Sequence, residues 1–398
     1  MFTKLSDRLN YLSESQTLAM ARKTRELREQ GHEIIGLSLG EPDFNTPDFI
    51  KEAAKSAIDN NFSHYTAVQG DKSLLEAISR KFKRDNDLDY NLDQIVASTG
   101  AKQSLINALL SLVNPGDEVL ILAPYWVSYV EMVKMAEGTP VILSAGVEQE
   151  YKVNAAQLRG ALTDKTRVLM FSSPCNPTGS VFSREELLAM AEVLNDFPNV
   201  VVISDEIYEL INFVGKHVSF ASLPGMYERT VTVNGMSKGF AMTGWRLGYI
   251  GAPEWIAKAC TKIQGQFTSA PTGISQMAAK AALEIDPDEL LGMRDTFLKR
   301  RDLLLDLLSG IPGMKCNVPE GAFYVFPEIS YYFGKSAKGK TINTADDFCM
   351  YMLHKAHVAL VPGDAFGADN CIRISYSTSE ANIIEAAVRM KKALNELE

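Results

Sequence analysis

Val200-Val201-Val202-Ile203-Ser204-Asp205-Glu206-Ile207-Tyr208 is the stretch on which the reading of this chain turns. Four successive apolar, β-branched residues suit a strand covered on both faces, because a strand with one wet face alternates apolar with polar. A carboxylate follows at once, and a carboxylate there is costly unless a positive partner meets it. Outward from this run the pattern repeats. Residues 119–123, 168–172, 230–233 and 247–251 are further short apolar runs, and 101–112 and 185–194 read as helices with apolar residues at three- and four-residue steps. Short, doubly apolar strands alternating with helices predict an α/β fold: a large domain with a mostly parallel mixed sheet flanked by helices. In such sheets the chemistry collects in loops beyond the carboxyl ends of the strands.

Both ends of the chain read differently. Residues 16–30 predict a helix ended by Gly31, and 34–39 a short strand that breaks at Gly40-Glu41-Pro42-Asp43. After residue 289 come a long charged helix (293–308), a strand (321–326), a helix (344–357), strands at 358–361 and 371–375, and a last helix (380–397). These predict a smaller α+β domain completed by the N-terminal segment. The division expected is 46–288 for the large domain, and 1–45 with 289–398 for the smaller one.

Composition excludes several classes of function. A formal net charge of -9 argues against non-specific nucleic-acid binding, which needs a basic face. No apolar run is long enough to span a bilayer, and the polar, charged start Thr3-Lys4-Leu5-Ser6-Asp7-Arg8 does not read as a signal peptide. The five cysteines are far apart without a C-x-x-C pair, which points to reduced thiols and a cytoplasmic protein. Five histidines without H-E-x-x-H give no zinc signature, so no metal is expected.

Four strand ends carry candidate chemistry. Ala97-Ser98-Thr99-Gly100-Ala101-Lys102 runs from strand into helix, and the unpaired N–H groups of a helix start can hold phosphate; a capped helix is the plainer account. Ser173-Pro174-Cys175-Asn176-Pro177-Thr178-Gly179 places Asn176 between two prolines, which fix the backbone and aim one amide; a rigid turn would look the same. Asp205 suits a pyridinium N–H, and Tyr208 a ring hydroxyl, against the alternative of a helix-capping aspartate. Val233-Asn234-Gly235-Met236-Ser237-Lys238 puts a lysine among small and apolar residues, where its pKa can fall and its amine act as a nucleophile. Arg246, eight residues on, suits phosphate.

Taken in order, S-P-C-N-P-T-G, S-D-E-I-Y and S-K-G-F-A-M-T-G-W-R-L-G-Y resemble the class I aminotransferases, enzymes of the pyridoxal phosphate (PLP)-dependent transferase fold type I. The resemblance runs from Gly40-Glu41-Pro42-Asp43 to Ile372-Arg373-Ile374-Ser375. It implies that Lys238 holds PLP as a Schiff base and then moves the proton, and that Asp205 pairs with the ring nitrogen. It implies that Tyr208 and Asn176 meet the ring oxygen, that Trp126 stacks on the ring, that Gly100, Ala101 and Arg246 hold the phosphate, and that Lys102 and Ser237 also belong to the cofactor-binding set. Arg373 would clamp the substrate carboxylate, helped by Asn176 and the Gly40 N–H. Tyr65 would reach the phosphate of a partner subunit, which implies a homodimer with shared active sites.

Ser15, Thr17, Gly100-Ala101-Lys102 and Tyr125-Trp126-Val127-Ser128-Tyr129 are similar to the bacterial aspartate aminotransferase branch. There Lys102 would meet the distal carboxylate, implying L-aspartate and 2-oxoglutarate in a ping-pong exchange. Ser13 stands where the resemblance leads one to expect a basic residue, and this departure counts against prephenate. Aromatic amino acids, alanine and kynurenine are alternative substrates on the same scaffold, and a PLP lyase uses the same lysine and aspartate.

Two short patterns point elsewhere. Gly235-Met236-Ser237-Lys238-Gly239 spells the G-x-S-x-G elbow of α/β-hydrolases, which would need an acid and His354 or His357 beside Ser237. Gly334 to Thr341 spells G-x-x-x-x-G-K-T, yet too little chain follows it to build a nucleotide-binding domain. A ligand-sensing regulator on a PLP fold would carry a basic DNA-binding segment, and none is legible here.

Overall fold

A computed structural model describes residues 5–337 and 339–398. Strand β1 (Ile35–Gly36) is followed by the seven strands of one sheet: β2 (Ile95–Ser98), β3 (Glu118–Ala123), β4 (Thr139–Ser144), β5 (Thr166–Ser172), β6 (Val201–Asp205), β7 (Thr230–Gly235) and β8 (Gly248–Gly251). Their order across the sheet is β2-β8-β7-β6-β5-β3-β4. All neighbours are parallel except those of β8, which runs antiparallel to both β2 and β7. The expected mostly parallel mixed sheet is therefore present, and β6 lies at its centre.

Helices cover both faces. On one, Leu105, Leu109 and Leu112 of helix Ala101–Leu112 pack with Ile256, Ala257 and Cys260 of helix Glu254–Phe267 on strand residues such as Ile121, Met170, Ile203 and Val233. On the other, Leu187, Met190 and Leu194 of helix Arg184–Asn195 cover Leu120, Leu169 and Val202. Residues one apart on a strand face opposite ways. Val202 and Ile203 accordingly feed different cores, which is why the run had to be apolar throughout. The expectation missed β4, an edge strand whose residues are only half buried and include Pro140. An edge accepts a proline because one side of its ladder is unpaired.

A further core joins Met20, Ile34 and Leu37 of the N-terminal segment to residues between Phe297 and Leu394, and it takes in Ile207, Tyr208 and Ile211 from just after β6. Here several expected elements are shorter. The 34–39 strand pairs only at β1, with β12 (Val358–Ala359); past it, Leu37 donates to Ala359 O while its carbonyl accepts from Ser375 N, so the chain passes between two strands. The 321–326 strand is only β9 (Tyr324–Val325), because Ala322 takes φ 58° and Pro327 has no N–H to extend the ladder. Between them, β10 (Ser336–Ala337) and β11 (Lys340–Thr341) form an antiparallel pair. That overturns the nucleotide-loop spelling, whose lysine-rich stretch forms a hairpin and not a strand entering a helix; Lys338 itself lies outside the described residues. The 344–357 helix is Ala345–Tyr351 followed by a π turn, Met352–Ala356. The expected 358–361 strand changes partner at Leu360: β12 joins β1, and β13 (Val361–Pro362) joins β14 (Ile372–Ser375), which in turn pairs with β9.

A close backbone approach in the large sheet lies beneath the start of helix Ala101–Leu112. A Cβ on Gly248 would collide with Ala101 N and with the Gly100 carbonyl carbon, both backbone atoms that cannot swing aside. Gly248→Ala is expected to lower the unfolding free energy by about 1–3 kcal/mol, measured by urea titration. An unchanged transition midpoint would contradict this packing.

Candidate functional site

Beyond the carboxyl ends of the parallel strands lies a cavity of about 380 Å³. Loops after β2, β3, β5, β6 and β7 supply one wall, and Ser15, Thr17, Leu39, Gly40, Tyr324 and Arg373 supply the other. Every expected site residue lines it except Gly100, which sits directly behind Arg246, and Tyr65.

Asp205 ends β6 with its carboxylate nearly buried, at 5 % exposure. Tyr129 Oη donates to Oδ2 at 2.6 Å and Ile207 N to Oδ1 at 3.3 Å. Burial pushes the carboxyl up to about 6, although both hydrogen bonds favour the charged form. Lys238 shows the opposite shift. Burial, followed by the positive Arg373, pushes its ammonium down to about 8. Its Nζ donates to Gly40 O and lies 5.8 Å from the Tyr208 ring centroid.

Two buried carboxylates anchor the turn that carries Tyr208. Glu206 accepts from Ser204 Oγ (2.8 Å), Ser219 Oγ (3.0 Å) and Phe220 N (3.2 Å), and meets His217 Nε2 at 2.9 Å. Glu209 pairs with Lys81 and accepts from Asn86 Nδ2 at 2.9 Å. Burial opposes its ionisation, yet Lys81, His217 and Asn86 together bring its pKa below the usual value. Glu206, Glu209 and His217 have ligand atoms within 4.8 Å of one another, but the Lys81 ammonium already supplies the positive charge this cluster needs.

Arg373 is 2 % exposed on β14, with Nη1 donating to Asn176 Oδ1 at 2.9 Å and Nη2 to Ser38 O at 2.7 Å. Its Nε is buried without a partner. The contact also orients Asn176: its oxygen is engaged, which leaves its NH2 donors for a ligand. A guanidinium held so deep, with no carboxylate bound to it, is built for an incoming anion. Gly40 also lines the cavity, and its carbonyl accepts from Lys238 Nζ.

A second anion cradle lies at the helix start. Gly100 has φ 82°, and a Cβ there would strike the Arg246 guanidinium. Arg246 itself takes φ 53° and donates Nη1 to Thr243 O at 2.7 Å. The first N–H groups of helix Ala101–Leu112 have no intrahelical partner. With Arg246 and Ser237 they form a pocket suited to phosphate. Lys102 Nζ lies 4.9 Å over the Trp126 ring, and burial and then Arg246 lower its pKa.

The cavity thus joins a buried carboxylate suited to a ring N–H, a buried amine suited to a carbonyl carbon, a phosphate cradle and a buried guanidinium. Those are the complements of PLP and an amino-acid carboxylate, so the residues present fit the group. Tyr65 is 97 % exposed and borders a separate cleft with His64 and Gly70. The hydrolase elbow is overturned: after β7 the chain passes through a 3-10 turn (Thr243–Trp245) into β8 and not into a helix, and neither His354 nor His357 lines the cavity. Sequence reasoning missed Tyr129 and Tyr324. Tyr129 follows Trp126 by three residues, so one helical turn carries it towards Asp205; Tyr324 gave no signal beyond its place in an apolar run.

Comparison with known proteins places this arrangement. The family model described as "Aminotransferase class I and II" matches residues 32–390. A bifunctional aspartate aminotransferase and glutamate/aspartate-prephenate aminotransferase of Petunia hybrida is 49% identical, over 98% of this chain and 82% of its own length. A probable aspartate/prephenate aminotransferase of Rickettsia bellii is 48% identical over 99% of both chains. The crystal structure of the aspartate aminotransferase from Rhizobium meliloti matches with a TM-score of 0.96 at 42% identity, covering 100% of both chains.

The two shifted groups fix a pH dependence. Asp205 has a folded pKa above its unfolded one, so the folded form binds more protons between about 4 and about 6, and stability falls as pH rises through that window. Lys238 has a folded pKa below its unfolded one, so its cost builds up as pH falls from about 10.5 to about 8 and is fully present below that. Asp205→Asn is therefore expected to stabilise the cofactor-free chain at pH 7 by about 2–3 kcal/mol relative to its effect at pH 3.5. Urea titrations at the two pH values check this, and an equal effect at both would contradict the burial of that charge.

Proposed function

The chain belongs to the aminotransferases of class I and II, and from that premise we propose that it carries the amino group of L-aspartate to 2-oxoglutarate, with PLP held at Lys238. The single observation that carries this reading is the pairing of Asp205 and Lys238, one carboxyl held up and one amine held down, across a cavity that also holds Arg373.

When bound, PLP supplies an electron sink that makes the substrate Cα–H acidic. The rest is done by this chain. Asp205, steadied by Tyr129, would keep the ring nitrogen protonated. Gly100, Ala101, Ser237 and Arg246 would hold the phosphate, and Trp126 would stack on the ring. Tyr208 and the amide donors of Asn176 would meet the ring oxygen. Arg373 receives the substrate α-carboxylate through its fork, where buried charge-assisted hydrogen bonds are strong. Lys238, with a pKa near 8, can take and return a proton near neutral pH. Lys102, an exposed ammonium at the rim of the cavity that Ser15 and Thr17 also line, would meet the distal carboxylate. Residues 1–45 and 289–398 would close on 46–288 over the substrate and exclude water. Tyr65, standing free of this chain's own cavity, would serve the cavity of a second copy, making the enzyme a homodimer. Among the described residues no helix is long and apolar enough to cross a membrane. The five free thiols support a reducing, cytoplasmic setting.

Prephenate is the second reading, and the names of the Petunia and Rickettsia relatives favour it. Against it stands Ser13, whose backbone N–H is tied to Glu131 at 2.9 Å and which brings no positive charge to the neighbouring chamber.

Adding aspartate alone to the PLP-loaded protein should abolish its visible absorption band, and 2-oxoglutarate should restore it. A band that aspartate leaves untouched would discard this substrate. Lys102→Ala should raise KM for aspartate at least ~10-fold, the loss expected for one charge-assisted hydrogen bond, with little change for alanine. Equal effects on both amino acids would remove Lys102 from the distal-carboxylate role.

A further inference from the structure

Tyr324 belongs to none of the chemical motifs, yet it stands between the two halves of the cavity. It lies on β9, wholly buried, and its hydroxyl is 2.8 Å from the Tyr208 hydroxyl. The Arg373 guanidinium lies 4.5 Å over the centroid of its ring. A Cβ at residue 40 would come within 2.7 Å of its hydroxyl, so the glycine in Gly40-Glu41-Pro42-Asp43 makes room for this side chain. One tyrosine therefore touches both the phenol that faces the cofactor position and the guanidinium that faces the substrate carboxylate.

Each contact has a physical consequence. Two phenols sharing one hydrogen bond have two protons between them. If Tyr324 donates, the proton of Tyr208 is left to point into the cavity, and a donor that is itself accepting is polarised into a stronger one. The ring face does separate work. A guanidinium over an aromatic ring is drawn to its face by cation–π attraction, worth most where water is excluded, and the Phe366 ring, 4.9 Å from Arg373, adds a second face to that of Tyr324. Asn176 and Ser38 O take one Nη each, and Nε stays buried and unpaired, available to an anion in that plane.

We propose that Tyr324 is a positioning residue that couples the two half-sites: its ring fixes the plane of Arg373 for the substrate carboxylate, and its hydroxyl directs the proton of Tyr208 towards the cofactor. This rests on the aspartate aminotransferase reading above. A merely space-filling tyrosine would be replaced without consequence by phenylalanine.

The test uses the PLP-loaded enzyme and the variants Tyr324→Phe and Tyr324→Leu. Three quantities are measured: the pH midpoint of the visible absorption band without substrate, the Kd of maleate as a non-reacting dicarboxylate, and kcat with KM for aspartate. Tyr324→Phe keeps the ring and loses the hydroxyl. Its absorption midpoint should move upward and its kcat fall roughly 10-fold, the equivalent of one hydrogen bond, while maleate binds within about twofold of wild type. Tyr324→Leu should show the same shift and also bind maleate ~10-fold more weakly. Should it fail to fold, Tyr324→Met, an unbranched side chain without a ring face, takes its place. An unmoved absorption midpoint in Tyr324→Phe, or wild-type maleate affinity in a folded ringless variant, overturns the inference while leaving the aminotransferase reading intact. A wild-type enzyme that gains no band with PLP, or does not respond to aspartate, overturns that reading first and the inference with it.

Discussion

A carboxylate at the end of the central strand is the constraint on which the rest depends. Strand β6 is apolar on both faces because helices cover both, and Asp205 at its end is left with 5 % of its surface exposed, on the wall of the cavity. Such a charge persists only where something holds it. Tyr129 and the Ile207 N–H do part of this work, and its pKa near 6 shows that they do not do all of it. The remaining deficit is a demand for a cation at one point in space. Glu206 and Glu209, themselves buried and fully engaged, pin the following turn so that Tyr208 stands beside that point.

The second part of the site answers the same logic with opposite sign. Lys238 is a partly buried cation and Arg373 a buried one; burial lowers both pKa values, and the charge of Arg373 lowers that of Lys238 further. Among the described residues neither has a carboxylate partner in the hydrogen-bond network; they lean on the carbonyls of Gly40 and Ser38 and on the amide of Asn176. A chain that buries two positive groups and one negative group around an open volume has been built around ligands that complete the charge balance. PLP and an amino-acid substrate do so, with phosphate at Arg246, a ring nitrogen at Asp205 and a carboxylate at Arg373. The uncompensated charge around the cavity is the physical counterpart of its function, since perturbed ionisable groups cluster at functional sites.

Much of this was legible in the sequence, for identifiable reasons. The large sheet follows from doubly apolar runs, whose meaning does not depend on distant partners. The lysine, aspartate, asparagine and arginine announce themselves because each is a polar group at the end of an apolar strand. What stayed hidden depends on contacts between distant segments. Strand β4 is half exposed and so lacks the run. The elements beyond residue 320 are cut short by partner changes at Leu360 and by the left-handed backbone at Ala322, and periodicity records neither. Tyr324 looked like one more apolar strand residue. Only the fold brings it under Arg373 and against Tyr208, 116 residues away.

The central claim is that one lysine, Lys238, is the buried amine that takes the cofactor. The most direct measurement is to incubate the protein with PLP, reduce it with borohydride, digest it and locate the added mass by peptide sequencing. The structure predicts one dominant adduct, on Lys238, because among the described lysines it combines a lowered pKa with a place in the cavity that Asp205 also lines. An adduct centred on Lys102, or spread over surface lysines with Lys238 unmodified, would contradict the account.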